Sequence, residues 1–170
     1  MTVHRQVISV TSDGRRPSFH QLTEHVRRAV ADSHVSNGLC VVSTNHTTCS
    51  VMVQEASFDT TFTGLEYLEQ DLCDVLETLI PTCRVEGQYR HPGPKLVEFS
   101  AQHGETERQT LNTDAHLRSA LLGRSESIPV VDGILDLGAF AHVYFVDFDQ
   151  TRSRDREVSI VVMGETEAAA

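Results

Sequence analysis

The chain carries 9 histidines, and three of them stand where an imidazole can do chemistry. His46 lies in Asn45-His46-Thr47-Thr48, a polar link between two apolar runs. His91 sits in Tyr89-Arg90-His91-Pro92-Gly93-Pro94, where two prolines and a glycine exclude a helix. His116 falls in the first turn of a helix that opens after Asn112-Thr113. Loops and helix starts on a rigid scaffold are where binding groups tend to be placed. Imidazoles from three such segments can converge on one divalent metal and leave a position open for water or substrate. The gaps are far too long for a local motif such as H-E-x-x-H. Spacing alone therefore does not join them, and three unrelated polar histidines is the plainer reading of the residues by themselves. The others are less suggestive. His20 and His25 fall in an expected first helix and face water, His4, His34 and His103 lie in polar or terminal context, and His142 sits in a late strand.

Several polar residues surround the three. Thr47 and Thr48 form a hydroxyl-rich turn that can bind phosphate or simply satisfy its own backbone. Asn112 and Asp114 lie at a helix N-terminus, a place for caps and also for an anion. Arg152, Arg154 and Arg156 follow the strand ending Asp147-Phe148-Asp149, and arginine's planar fork of donors can clamp a phosphate. For Arg156 an exposed charged hairpin is the preferred reading. Glu55 ends an apolar strand, as a base, as a partner orienting another ligand, or as the strand's exit to solvent. No G-x-S-x-G, G-x-G-x-x-G or G-x-x-x-x-G-K-[ST] motif occurs, which weighs against serine hydrolases, dinucleotide enzymes and nucleoside triphosphatases.

These residues must be positioned by a fold that 170 residues can build as one domain. An apolar fraction of 39% is that of a globular chain, not a disordered one. A formal net charge of −10, with no Lys/Arg-rich run, argues against nucleic acid as a partner. The pairs Arg15–Arg16 and Arg27–Arg28 read as solvated surface. No signal peptide and no run of roughly 20 apolar residues is evident, so no membrane partner is expected and the cytoplasm is the default location. None of the four cysteines forms a C-x-x-C pair, and Cys40, Cys49 and Cys73 read as free thiols acting as small hydrophobes.

The elements follow from periodicity. A first strand spans Met1–Val10. A capping box at Ser18 and Gln21 opens a helix with Phe19, Leu22, Val26, Ala29 and Val30 on one face, ending before Asn37–Gly38. Strands are expected at Gly38–Ser43 and Ser50–Glu55. A helix from about Thr63 to Leu79 carries an apolar stripe read as core, and Pro81 stops it. Arg84–Thr110 reads as irregular. A short helix, Asp114–Leu122, takes Asn112 or Thr113 as cap and is closed by Gly123. The last third is β: Ser127–Val131, a turn at Asp132–Gly133, Ile134–Leu137, Ala141–Asp147 and Glu157–Met163. Clustered hairpins predict an α+β fold with an antiparallel sheet. The domain covers 1–165, and 166–170 reads as a frayed tail.

Taken in order, the segments resemble the YjbQ family, small proteins linked to a secondary thiamine-phosphate synthase activity. The matching pieces are His46-Thr47-Thr48 with Ser50 and Glu55, Asp59, Tyr89-Arg90-His91, and Asn112-Thr113-Asp114-Ala115-His116-Leu117. Further on come Leu122-Gly123, Ser125, Ile128-Pro129, Gly133, Leu135, Leu137-Gly138, and the Arg-rich hairpin closing on Gly164-Glu165. The resemblance implies an antiparallel β-sandwich with flanking helices, assembled as a homotrimer with sites near the subunit interfaces. It also implies a shared histidine site: His46, His91 and His116 as ligands of a divalent metal, Zn or Mg. The catalytic candidates are then His46, Glu55 and His116, with Thr47, Thr48, Asn112, Arg152 and Arg154 for a small phosphorylated metabolite. The reaction implied joins a pyrimidine pyrophosphate to a thiazole phosphate. A non-catalytic binder of a metal or phosphometabolite, and a metal-dependent hydrolase, are the alternatives. Two departures stand out. The family's Leu-Gly-x-Trp-Gln segment reads Leu137-Gly138-Ala139-Phe140-Ala141, losing a side-chain amide, and the His91–His116 link is longer than usual, as an extra flap over the pocket would be.

Overall fold

The computed structural model describes residues 1–166. Two antiparallel sheets and five helical segments make an α+β architecture. The larger sheet holds five strands in the order β1 (Thr2–Thr11), β8 (Asp155–Thr166), β3 (Val35–Ser43), β5 (Ser125–Val131) and β6 (Ile134–Leu135). The smaller holds β2 (Ser18–Gln21), β7 (Ala141–Asp147) and β4 (Cys49–Glu55). All pairings are antiparallel. The β5–β6 hairpin turns at Asp132–Gly133, both at positive φ, as the Asp-Gly pair predicts. Gly38 and Gly164 pair across β3 and β8, so closely that a Cβ on Gly38 would collide with the Met163 carbonyl oxygen.

Alternation along the strands sorts the side chains onto two faces. Cys40 and Val42 of β3, Val158, Ile160 and Val162 of β8, Val51 of β4, and Val143 and Phe145 of β7 share one core cluster. Helix α1 (Thr23–Ser33) adds Val26, Ala29 and Val30 to it. The other face of the small sheet is covered by α2 (Tyr67–Leu79) and α5 (Thr113–Leu122), with Leu76, Ala115, Tyr144, Val146 and Phe148 in a second cluster.

Several elements differ from expectation. Ser18–Gln21 is strand β2, paired with Tyr144–Asp147, so the capping box there does not form and α1 starts at Thr23. The Ser18 hydroxyl instead accepts the Asp13 N–H. Thr63 lies before α2, whose capping box is Glu66 with Glu69. Of its apolar stripe, Leu76 is buried, but Leu68, Val75 and Leu79 are exposed. The link expected to be irregular contains α3 (Pro94–Gln102), with Pro94 in its first turn, and α4 (Glu107–Thr110). Thr166 pairs with Val35 at the end of β8, one residue into the expected frayed tail; the rest of that tail lies outside the described residues. Among the described residues no helix is long and apolar enough to cross a membrane. Cys40, Cys49, Cys73 and Cys83 are free, with Cys40, Cys49 and Cys83 buried.

Candidate functional site

Helix α5 is the platform of the site. Ser119 donates a 2.6 Å hydrogen bond to the Cys49 carbonyl, which docks the helix onto the start of β4. Buried Arg118 donates to the Ile80 carbonyl and to Glu77, which ties the helix to the end of α2. This brings His116 to the β3–β4 link, where its Nδ1–H donates to the Thr47 carbonyl at 3.2 Å. The Pro/Gly loop places His91 against the same helix start. Thr113 donates its hydroxyl proton to the His91 carbonyl at 2.6 Å and is left to accept the His91 Nδ1–H at 2.9 Å.

The two rings lie edge to face with centroids 5.4 Å apart. In each, an oxygen acceptor fixes the proton on Nδ1 and leaves the Nε2 lone pair available when the ring is neutral. Burial, and then the neighbouring His116, hold the His91 pKa below its ordinary value. Its neutral form is thereby favoured at physiological pH.

His46 stands beside Thr47 in the chain, but its ring is used differently. Its Nε2 accepts the Glu157 N–H at 3.0 Å, and burial followed by the Arg156 charge lowers its pKa. Among the described residues no group of three or more His, Cys, Asp or Glu side chains is arranged to hold a metal ion. The donor set brought together is therefore two imidazoles, His91 and His116. Imidazole pairs suit Zn²⁺ and similar transition ions, whereas Mg²⁺ asks for oxygen ligands.

The remaining candidates separate. Thr48 is buried, accepts from Arg156 at 3.0 Å and donates to Asp147 at 3.2 Å, so its hydroxyl is spent inside the protein. Arg156 is no exposed hairpin charge. It is 4% exposed, and its Nε–H donates to Asp147 at 2.7 Å, with Asp149 3.8 Å away. Arg152 forms an ion pair with Glu105, and Arg154 lies 3.9 Å from the same carboxylate. Glu105 comes from the long His91–His116 link, so the segment expected to be a flap neutralises the expected phosphate clamp. Asn112 is the N-cap residue of α5, with its side-chain amide turned to Asp149 at 3.5 Å instead of capping the helix.

Glu55 lies at the other end of β4 from the histidines, about 20 Å from Cys49 at strand rise. It pairs there with Ala141, so the Phe140–Ala141 departure also sits away from the His91–His116 pair of the same chain. His20 lies in β2, not on a helix, and its Nε2 is buried without a partner.

Thr113 orients His91, a role not legible in the sequence, where its place before a helix suggests only a cap. Of Arg15 and Arg16, both expected as solvated surface, Arg15 is exposed as expected, whereas Arg16 is half-buried and engaged. Arg16 donates to the Thr63 carbonyl and pairs with Asp13, and Arg15 lines a cavity at the N-terminus of α5. The immediate neighbours of these residues in the chain carry no local signal of either role.

A family model described as UPF0047 protein YjbQ-like matches residues 6–165. A UPF0047 protein of Synechocystis is 31% identical over 163 residues, covering 95% of this chain and 92% of the relative. A UPF0047 protein of Archaeoglobus fulgidus is 30% identical, covering 82% of this chain and 88% of the relative. Among solved structures, a hypothetical protein of Aeropyrum pernix superposes with a TM-score of 0.71 at 27% identity, covering 95% of this chain and 98% of that one. An uncharacterized conserved YjbQ/UPF0047 protein of Clostridium acetobutylicum superposes with a TM-score of 0.66 at 28% identity, covering 94% and 98%.

Proposed function

The chain belongs to the UPF0047 YjbQ-like family, and from that premise we propose that His91 and His116 form the working centre of a site for a small phosphorylated metabolite and a divalent cation of the zinc class. The observation that carries this reading is the hydrogen-bonding pattern that the two adjacent rings share. Each Nδ1–H is committed to an oxygen acceptor, through Thr113 and through the Thr47 carbonyl, so each Nε2 is presented in a defined direction. That is how proteins orient imidazole ligands. A bound cation would supply stabilisation of a departing phosphate-type anion.

Within this reading the reaction is the one the family resemblance implies, thiamine-phosphate synthesis with release of pyrophosphate. His91 and His116 would hold the cation, whereas the His46 Nε2 is already taken up by the Glu157 N–H. The lowered pKa of His91 keeps its lone pair available near neutral pH. The test is pyrophosphate release by purified protein supplied with Zn²⁺, the pyrimidine pyrophosphate and the thiazole phosphate. The expected result is turnover that His116→Ala lowers by roughly 10²–10⁴-fold. Turnover unchanged in His116→Ala contradicts the assignment. Zn²⁺ binding without turnover favours the non-catalytic alternative.

The same reading includes a sandwich-like packing of the two sheets and a homotrimer. Supporting the sandwich, strands of both sheets contribute to one core cluster. Supporting self-association, Leu68, Val75 and Leu79 form an exposed stripe on α2 and Phe58 and Phe62 are exposed just before it. Light scattering is expected to give about three times the chain mass of 18.9 kDa. A monomeric mass contradicts the trimer.

A further inference from the structure

We propose that the phosphoryl group of the metabolite is held by Arg15, Arg84 and Arg108 in a cavity at the N-terminus of α5, and not by Arg152 and Arg154. The inference takes its ligand class, a phosphomonoester, from the proposed function above, but its evidence is separate. A cavity of about 360 Å³ is lined by these three arginines together with Asn112, Asp114 and Thr151. That is room for a small phosphorylated molecule.

The three guanidinium groups come from distant segments: the β1–β2 connection, the residues after α2, and α4. In a chain with 14 basic and 24 acidic residues, three cations around one cavity make a local reversal of charge. Among the described residues, Arg15 and Arg108 form no ion pair. Arg84 has only a 3.8 Å contact with Glu77, and its side chain is 74% exposed. Arg152, by contrast, is already paired with Glu105.

The one carboxylate in the lining is engaged elsewhere. Asp114 is buried, accepts the Cys83 N–H at 3.0 Å and lies 3.8 Å from Arg118. Asp114 also lies in the first turn of α5 and accepts N–H groups there, so the arginines and not the helix end supply the positive charge. His91 contacts Thr113 at this same helix start, so a phosphate here sits at the edge of the histidine site.

The test is titration of the full-length protein with inorganic phosphate and, separately, with ethyl phosphate, read by backbone amide NMR at low ionic strength. Both probes are expected to shift the Asn112, Thr113 and Thr151 amides, with the ester binding no more weakly than the free ion. Arg84→Gln with Arg108→Gln is expected to weaken both by at least about tenfold. The charge-matched pair Arg27→Gln with Arg28→Gln on α1 is expected to leave both unchanged. Equal weakening by the α1 pair, or shifts elsewhere than this cavity, overturns the proposal. Because no turnover or metal enters the measurement, failure here is distinguishable from failure of the histidine reading.

Discussion

Replacing Arg156 with methionine removes the cation from a deeply buried charge cluster. Asp147 and Asp149 are 0% and 1% exposed. Methionine keeps much of the stem's packing but loses the 2.7 Å bond to Asp147 and the 3.0 Å bond to Thr48. Arg154 still lies 3.8 Å from Asp149, so Asp147 carries most of the loss. Breaking a buried ion pair by deleting one partner costs about 3–5 kcal/mol, because the remaining charge is uncompensated. Total domain stability is typically about 5–15 kcal/mol. With a urea slope of about 2 kcal/mol/M, the unfolding midpoint falls by roughly 1.5–2.5 M. The pH dependence supplies a second readout. A buried carboxylate without its guanidinium has its pKa raised in the folded state. The folded variant then binds a proton that the unfolded chain lacks, so stability is regained as pH falls toward the unfolded value of about 3.9. Urea unfolding followed by circular dichroism at about pH 7 and about pH 4 is therefore expected to show the gap from wild type narrowing with acid. A midpoint change below about 0.5 M, or a gap that is equal at both pH values, refutes the reasoning.

Three further outcomes follow from the geometry. The imidazoles of His46 and His91 are expected to titrate below the ordinary value of about 6.5, because burial penalises their cations. They gain protons only as pH falls through those lowered values; proton NMR midpoints at or above about 6.5 contradict this. Gly38→Ala forces a Cβ against the Met163 carbonyl and is expected to destabilise by about 1–3 kcal/mol in chemical denaturation, whereas no change would mean that β3 and β8 approach less closely there. Glu105→Gln removes the charge that holds the α3–α4 link to Arg152, so limited proteolysis between residues 94 and 110 is expected to speed up; unchanged cleavage contradicts that tether.

Much of the scaffold is readable from periodicity. Strand β7 follows the apolar run Ala141–Asp147, and α5 begins beside Asn112 and closes at Gly123. The failures have physical causes. Ser18 and Gln21 have the spacing of a capping box, but pairing with β7 overrides that local preference, and the helix starts only at Thr23. Pro94 looks like a helix breaker in its Pro/Gly context, yet it serves as the first residue of α3, where its missing N–H costs nothing. Arg156 sits among hairpin charges that look solvated, and only the burial of Asp147 and Asp149 across the turn makes it a core residue. The candidate site is visible in the sequence as residue types and not as a set. Context singles out His91 and His116, but their 5.4 Å approach depends on Thr113, and no spacing rule reports a contact made through a loop and a helix start.

The most direct test of the histidine site is ¹⁵N NMR of the imidazole nitrogens during Zn²⁺ titration. The Nε2 resonances of His91 and His116 are expected to shift together while both Nδ1 atoms stay protonated on their oxygen acceptors. Zn²⁺ that leaves these two Nε2 resonances in place, or that moves those of other histidines instead, would contradict it.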